Sequence, residues 1–234
     1  MWLLVAAAAL NVTPVLIQLS PGSPSALLAL RNEGGEPARV QLTIHLWQEG
    51  PQGQVILNAT SEVEVFPPLL TLGPGEKRNI RLGGDLRSAA IERSFRLIVE
   101  ELPSPRAHPE RAVEFATLTR LSLPVFFEPA ERVVKAAATR MSIGGGRLSF
   151  ALENAGTVHV RPRAVHVRAA DAAGATIAEQ QWDGWYLLAG GVRGYELPIA
   201  PADCARIASV SFEAPDDEAP IASSWRPPAG GCGR

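Results

Sequence analysis

The sequence has little cysteine: two residues in 234, Cys204 and Cys232, both near its end. So few exclude a disulfide-dense scaffold, and with no histidine close to either they do not make a zinc set. In an exported chain they read as one intradomain disulfide; two unrelated thiols is the other reading. No run reaches the ~18 apolar residues that a membrane helix needs. Positive charge is not in excess. The 22 Lys and Arg stand against 24 Asp and Glu, for a net charge of −2, which excludes the basic footprint of a nucleic-acid binder.

Catalytic spacing is missing as well. There is no Gly-x-Ser-x-Gly elbow, and no spacing nominates a Ser/His/Asp set. Gly144-Gly145-Gly146 is followed by no helix and no Gly-Lys-Ser, so it reads as a hairpin loop and not as a phosphate cradle. His45, His108, His159 and His166 are scattered. His159 and His166, seven apart in a strand-like stretch, would point to opposite faces and make no metal pair. Long helical periodicity is absent, and residues 87–93 are read as one or two turns at most.

What is present is alternation and punctuation. Gly and Pro number 21 and 20, and the apolar fraction is 46% with 20% charged residues, which suits a packed core. Residues 39–47, Arg-Val-Gln-Leu-Thr-Ile-His-Leu-Trp, place Val40, Leu42, Ile44 and Leu46 on one face, with Trp47 in the register of the other. Residues 25–37 read as a strand ending in a Gly-Gly turn. Residues 61–84 read as two strands about Gly73-Pro74-Gly75, and 93–103 as the longest apolar strand. A polar loop over 104–113 leads to a strand that runs to Phe127. About seven strands therefore precede a short hinge at 128–135. A second set follows at 147–156, 157–171, 175–191, 192–199 and 207–215. The spacing predicts two all-β domains, 10–129 and 130–234. Trp2 to Leu10 is apolar, and Ala7-Ala8-Ala9 resembles a small-residue cleavage site, but no basic start precedes it. Residues 1–9 are read as a shortened signal segment, with a buried first strand as the alternative.

Several stretches, in order, resemble the periplasmic pilus-assembly chaperones. They are Leu-Asn-Val-Thr-Pro-Val-Leu-Ile-Gln-Leu-Ser-Pro-Gly at 10–22, the Asn-containing turn and Trp-bearing strand at 27–47, and Val-Phe-Pro-Pro-Leu-Leu…Gly-Pro-Gly…Arg-Leu at 65–82. Ser-Phe-Arg-Leu-Ile-Val-Glu-Glu-Leu-Pro at 94–103 and Leu-Ser-Leu-Pro-Val-Phe-Phe-Glu-Pro-Ala at 121–130 complete the first-domain set. The second domain matches more loosely, at Glu-Asn-Ala-Gly-Thr-Val-His-Val and around Tyr186–Ile199. Arg-Leu-Ser-Leu-Pro-Val-Phe places the chain closer to the divergent, archaic branch.

The resemblance implies two immunoglobulin-like β-sandwich domains in an L or boomerang arrangement, and a binding function without catalysis or cofactor. It implies a pilus or fibre subunit as partner, an outer-membrane usher as a transient second partner, and a periplasmic location. No nucleic acid or small-molecule substrate is implied. The family lends a strand to a subunit whose own sheet is incomplete, so that main-chain hydrogen bonds and alternate side chains close an apolar groove. Carried onto this chain, the donated face is Val113, Phe115, Thr117, Thr119 and Leu121, continuing to Leu123. The two basic residues that hold the subunit's terminal carboxylate in much of the family are replaced here by Leu16 and Pro124. Arg96 and Arg120 are the candidate replacements, since a guanidinium suits a carboxylate. The alternatives are a secreted structural or adhesive immunoglobulin-like module that donates nothing, and an enzyme on a β-sandwich.

Overall fold

The computed structural model describes residues 10–50, 52–84, 86, 89–103, 117–218 and 220–228. They divide into two compact units. The first is Met1–Trp47, Leu57–Ala89 and Arg93–Glu128; the second is Gln48–Ile56, Ala90–Glu92 and Pro129–Arg234.

Ten strands are described up to Phe127. They are β1 (Leu10–Thr13), β2 (Ile17–Leu19), β3 (Ser25–Asn32), β4 (Ala38–Glu49), β5 (Val55–Ala59), β6 (Glu64–Phe66), β7 (Leu69–Leu72), β8 (Lys77–Gly83), β9 (Arg93–Leu102) and β10 (Arg120–Phe127). One sheet has the order β1-β3-β8-β6. The other runs β2-β10-β9-β4-β5, with β7 also on β4. The first strand of the sequence reading is thus two. β1 runs antiparallel to β3, and after Pro14, which cannot donate to a ladder, β2 joins the other sheet parallel to β10. Between the sheets lies one core that includes Leu28, Leu30, Val40, Leu42, Ile80, Leu82, Phe95, Leu97 and Val125. These are the alternate positions of their strands, so the period-2 pattern decides which side chains leave water.

The second unit carries β11 (Ala136–Gly144), β12 (Arg147–Asn154), β13 (Ala164–Ala170), β14 (Thr176–Asp183), β15 (Val192–Pro198), a single helical turn α1 (Pro201–Cys204), β16 (Ser209–Ala214) and β17 (Ile221–Trp225). Its sheets are β11-β12-β15 and β14-β13-β16-β17, with Leu148, Phe150, Val165, Val167, Val210 and Phe212 in the core between them. Gly145 and Gly146, at φ +56° and +77°, form the two-residue loop joining β11 to β12, a backbone that favours glycine.

The structure differs from the sequence reading in further places. Residues 157–171 are not one strand: Pro162 interrupts them, leaving a lone bridge from Val160 to Leu187 before β13 begins at Ala164. β11 has a register shift between Thr139 and Ser142, with Arg140 at φ 53°, so its apolar positions fall out of alternation. β5 is short and exposed at every position, so it carries no alternation either.

One device is built twice. Asn32 ends β3 fully buried and donates to the carbonyls of Glu36 (2.7 Å), Leu72 (3.2 Å) and Gly73 (3.3 Å), while its Oδ1 accepts the Gly34 N–H at 2.9 Å. Asn154 ends β12 in the same way. It donates to Val158 (2.8 Å) and Leu187 (3.0 Å) and accepts from the Gly156 N–H at 3.0 Å. Each amide satisfies buried carbonyls of a turn and of a neighbouring segment, so a polar side chain is tolerated in an apolar layer.

Candidate functional site

β10 presents one paired and one partly open edge. The Thr119 carbonyl accepts the Glu101 N–H at 2.9 Å, so odd-numbered residues here turn their backbone groups toward β9. The Glu128 N–H donates to Leu19 at 2.9 Å, so even-numbered residues turn toward β2. β9 pairs with β10 along its whole length, from Arg120 opposite Glu100 to Phe127 opposite Arg93. β2 is only three residues long and reaches only Val125, Phe126 and Phe127. Among the described residues no strand lies beside the outward backbone groups of Arg120 and Ser122. Pro124, also on the outward side, has no N–H to satisfy.

The side chains alternate across this strand. Leu123, Val125 and Phe127 enter the first core, and half-buried Leu121 packs on it. Arg120 and Ser122 are exposed on the opposite face, and Pro124 and Phe126 are buried there. Of the predicted donated residues, Leu121 therefore serves its own domain's core. Thr117 is exposed and Thr119 half-buried, both outside β10, and the Thr119 N–H donates to Glu101 Oε2 at 3.1 Å. Leu118 between them is exposed. Val113 and Phe115 lie outside the described residues.

The two candidate cations lie on the same face, four positions apart along the ladder: Pro124 opposes Arg96 and Arg120 opposes Glu100. Arg96 is only 4% exposed, and its guanidinium carbon stands 3.8 Å from the Trp47 ring centroid. Its Nη1 reaches the Ser122 carbonyl at 3.5 Å. Trp47 in turn packs on Phe126, with ring centroids 6.0 Å apart. Arg120 is exposed. Leu16 is half-buried and Pro124 buried. Cys204 is buried in the second core and is not a free thiol; Cys232 lies outside the described residues. No group of three or more metal-ligating side chains occurs among the described residues, and no described helix is long and apolar enough to cross a membrane.

The family model of the pili and flagellar-assembly chaperones, PapD N-terminal domain, matches residues 9–132, more than half of the chain. The chain belongs to this family. With PapD-family membership comes a chaperone role in pilus assembly. None of the curated proteins matches the sequence. Among solved structures, the chain is similar to one in the CsuC–CsuE chaperone–tip subunit pre-assembly complex of the archaic Csu pili of Acinetobacter baumannii. That likeness has 20% identity and a TM-score of 0.62, covering 92% of this chain and 98% of that one. The class 5 fimbriae chaperone CfaA is similar at 11% identity and a TM-score of 0.62, covering 94% and 100%. So is a chain of the Salmonella enterica SafA pilin–SafB chaperone complex, at 14% identity and 0.57, covering 93% and 97%. At these identities the likeness is one of fold: an all-β chain of two immunoglobulin-like domains.

A PapD-family chain has other surfaces too, and one was not legible in the sequence. On the outer face of the β1-β3-β8-β6 sheet, Arg81 stands directly opposite Leu27 on one side and Phe66 on the other. Leu27 is 62% and Phe66 73% exposed, so two large apolar groups flank one guanidinium in water. The alternation of β8 shows that Arg81 faces out. That Leu27 and Phe66 flank it depends on strand register, which one sequence does not display.

Proposed function

We propose that this chain is a periplasmic, non-enzymatic chaperone that completes the sheet of a pilus or fibre subunit with β10 and the residues before it, and passes the complex to an outer-membrane usher. The observation that carries the reading is the outward edge of β10 at Arg120 and Ser122, which no described strand covers. An incomplete immunoglobulin-like subunit has the complementary need: an unfilled strand position and an apolar groove. Backbone hydrogen bonds from that edge would supply affinity, and Val113, Phe115, Thr117 and Thr119 would supply pocket-filling side chains. Each fully covered apolar anchor is worth about 1.5–3 kcal/mol before the ordering losses of association.

Of the two guanidiniums, Arg120 is open to an incoming carboxylate, whereas Arg96 would have to leave Trp47. Arg120 is therefore the proposed anchor. The exposed Leu27–Arg81–Phe66 row offers a surface on the other sheet for the usher, so that hand-over need not compete with the bound subunit. An oxidising periplasm suits a Cys204–Cys232 disulfide. Residues 1–9 would serve export, and the domains would divide near residue 130.

The test is recovery of the tagged chain from the periplasm with whatever co-purifies. A small immunoglobulin-like subunit that aggregates when produced alone is the expected companion. Ser122→Pro removes one outward N–H and leaves the β9 ladder intact. It is expected to fold like the parent and to recover less than a tenth as much subunit, as is Phe115→Glu. Undiminished recovery by both variants would end the proposal.

A further inference from the structure

A second polar constellation lies wholly within the second unit, away from β10. Arg161 and Trp185 lie against one ring, that of Tyr186. The Arg161 guanidinium carbon is 4.9 Å from the ring centroid, and the Trp185 ring meets Tyr186 edge-on with centroids 5.8 Å apart. Tyr186 is buried, whereas Arg161 is exposed and Trp185 is 45% exposed. The platform is braced from below and from the side. The His159 ring packs tilted against Tyr186, with centroids 5.4 Å apart, and its Nδ1 lies within hydrogen-bond distance of buried Glu92 Oε1, at 2.8 Å. The Arg161 backbone N–H donates to Asp216 Oδ2 at 2.7 Å, and the Tyr186 carbonyl accepts from Arg193 Nη2 at 3.0 Å.

The polar groups around the ring have partners of their own. His159 faces Glu92, and Arg163 faces Asp217 at 3.1 Å. Asp216 is engaged with the Arg161 backbone. No carboxylate among the described residues lies within salt-bridge distance of the Arg161 guanidinium, which rests on the aromatic face instead. Stacking of this kind holds a guanidinium in place while leaving its N–H fork directed at solvent. A fixed guanidinium beside a half-exposed indole and a buried tyrosine matches the Trp, Tyr and Arg enrichment of protein-interface anchors.

We propose that Arg161, Tyr186 and Trp185 form a docking site for an acidic segment of a polypeptide partner, Arg161 taking a Glu or Asp side-chain carboxylate and Trp185 the neighbouring apolar side chain. The bidentate fit of guanidinium to carboxylate selects an acid over its amide. The half-exposed indole offers apolar surface to a neighbouring side chain, which distinguishes such a segment from a bare anion.

The probe is the peptide acetyl-Gly-Glu-Leu-Glu-Phe-Gly-amide, titrated into the intact chain while the Trp185 indole N–H signal is followed by NMR. A saturable shift is expected. Arg161→Ala, and replacement of both peptide Glu residues by Gln, should each weaken binding at least tenfold. The two changes combined should cost little more than either alone. In Trp185→Ala, which lacks the indole reporter, the Arg161 Nε–H signal is followed instead; binding of this peptide should weaken while the response to acetate stays as in the parent. Arg161→Lys, which keeps charge but not the fork, should fall between wild type and Arg161→Ala. Thermal unfolding of each variant checks that the fold is kept. No saturable shift in the parent, equal affinity for the Gln peptide, or an Arg161→Ala variant within twofold of the parent would overturn the proposal. None of these outcomes bears on β10 or on subunit recovery.

Discussion

Arg96 lies with its guanidinium carbon 3.8 Å from the centroid of Trp47, both buried on the face of the sheet opposite the first core. A cation there is stabilised by the indole face, by about 2 kcal/mol when desolvated. Arg96→Ala is expected to lower stability by about 2–3 kcal/mol, read from the urea midpoint, since packing is lost as well as the cation–π contact. Arg96→Met keeps much of the volume and discriminates the roles. If Arg120 is the carboxylate anchor, Arg96→Met retains subunit recovery and Arg120→Ala loses it. The reverse pattern would return the anchor to Arg96.

The buried amides of Asn32 and Asn154 make equivalent bonds in the two domains. Replacing either by Ala removes at least two hydrogen bonds to main-chain carbonyls, and each carbonyl left with no other donor costs about 1–3 kcal/mol. Asn32→Ala and Asn154→Ala should each destabilise the chain by about 2–4 kcal/mol, and urea unfolding should show the loss in the altered domain. Asn→Asp should do no better, because a carboxylate cannot donate to those carbonyls.

Glu76 is held below the usual carboxylate range by the Gly73 N–H and then by the Arg78 guanidinium, at 2.8 and 2.6 Å. A carboxyl with a depressed folded-state value stabilises the fold above its unfolded value, about pH 4.3, and loses that contribution as pH falls through the folded value. Glu76→Gln should therefore flatten the acid limb of a stability-versus-pH curve. Glu49 has the opposite sign. Burial raises its carboxyl despite bonds from the Leu188 N–H and Arg193, so its contribution fades as pH rises through the raised value. Chemical denaturation between pH 2 and 7 on Glu76→Gln and Glu49→Gln separates the two slopes. Parallel curves for both variants and the parent would refute the assignment.

Phe66 is exposed beside Arg81 and contributes little to the core. Phe66→Asp should change stability by no more than about 0.5 kcal/mol. Subunit recovery should be unchanged while fibre on the cell surface is reduced, as immunodetection of whole cells would show. Loss of subunit recovery instead would place this row in the subunit site.

The alternation of 39–47 and 93–103, the turn glycines and the order of the first-domain motifs were enough to read an all-β chain of two immunoglobulin-like domains. A strand's side-chain period is a local property, so β4, β8, β9 and the apolar side of β10 were legible in one sequence. The bulged β11, the Pro-broken 157–163 segment and the two-sided exposed β5 were not, because each departs from that period. Candidates for a donated strand, and Leu16 and Pro124 at the positions where the resemblance expects a basic pair, were visible along the chain. Which edge of β10 is open was not. It follows from β2 being three residues long and from the parity of the backbone groups, and both arise only when distant strands pair. The same holds for Arg96 beneath Trp47, for Arg81 between Leu27 and Phe66, and for Arg161 on Tyr186. Sequence sets what each residue can bond to; strand register and packing across many residues of separation decide which partner it meets.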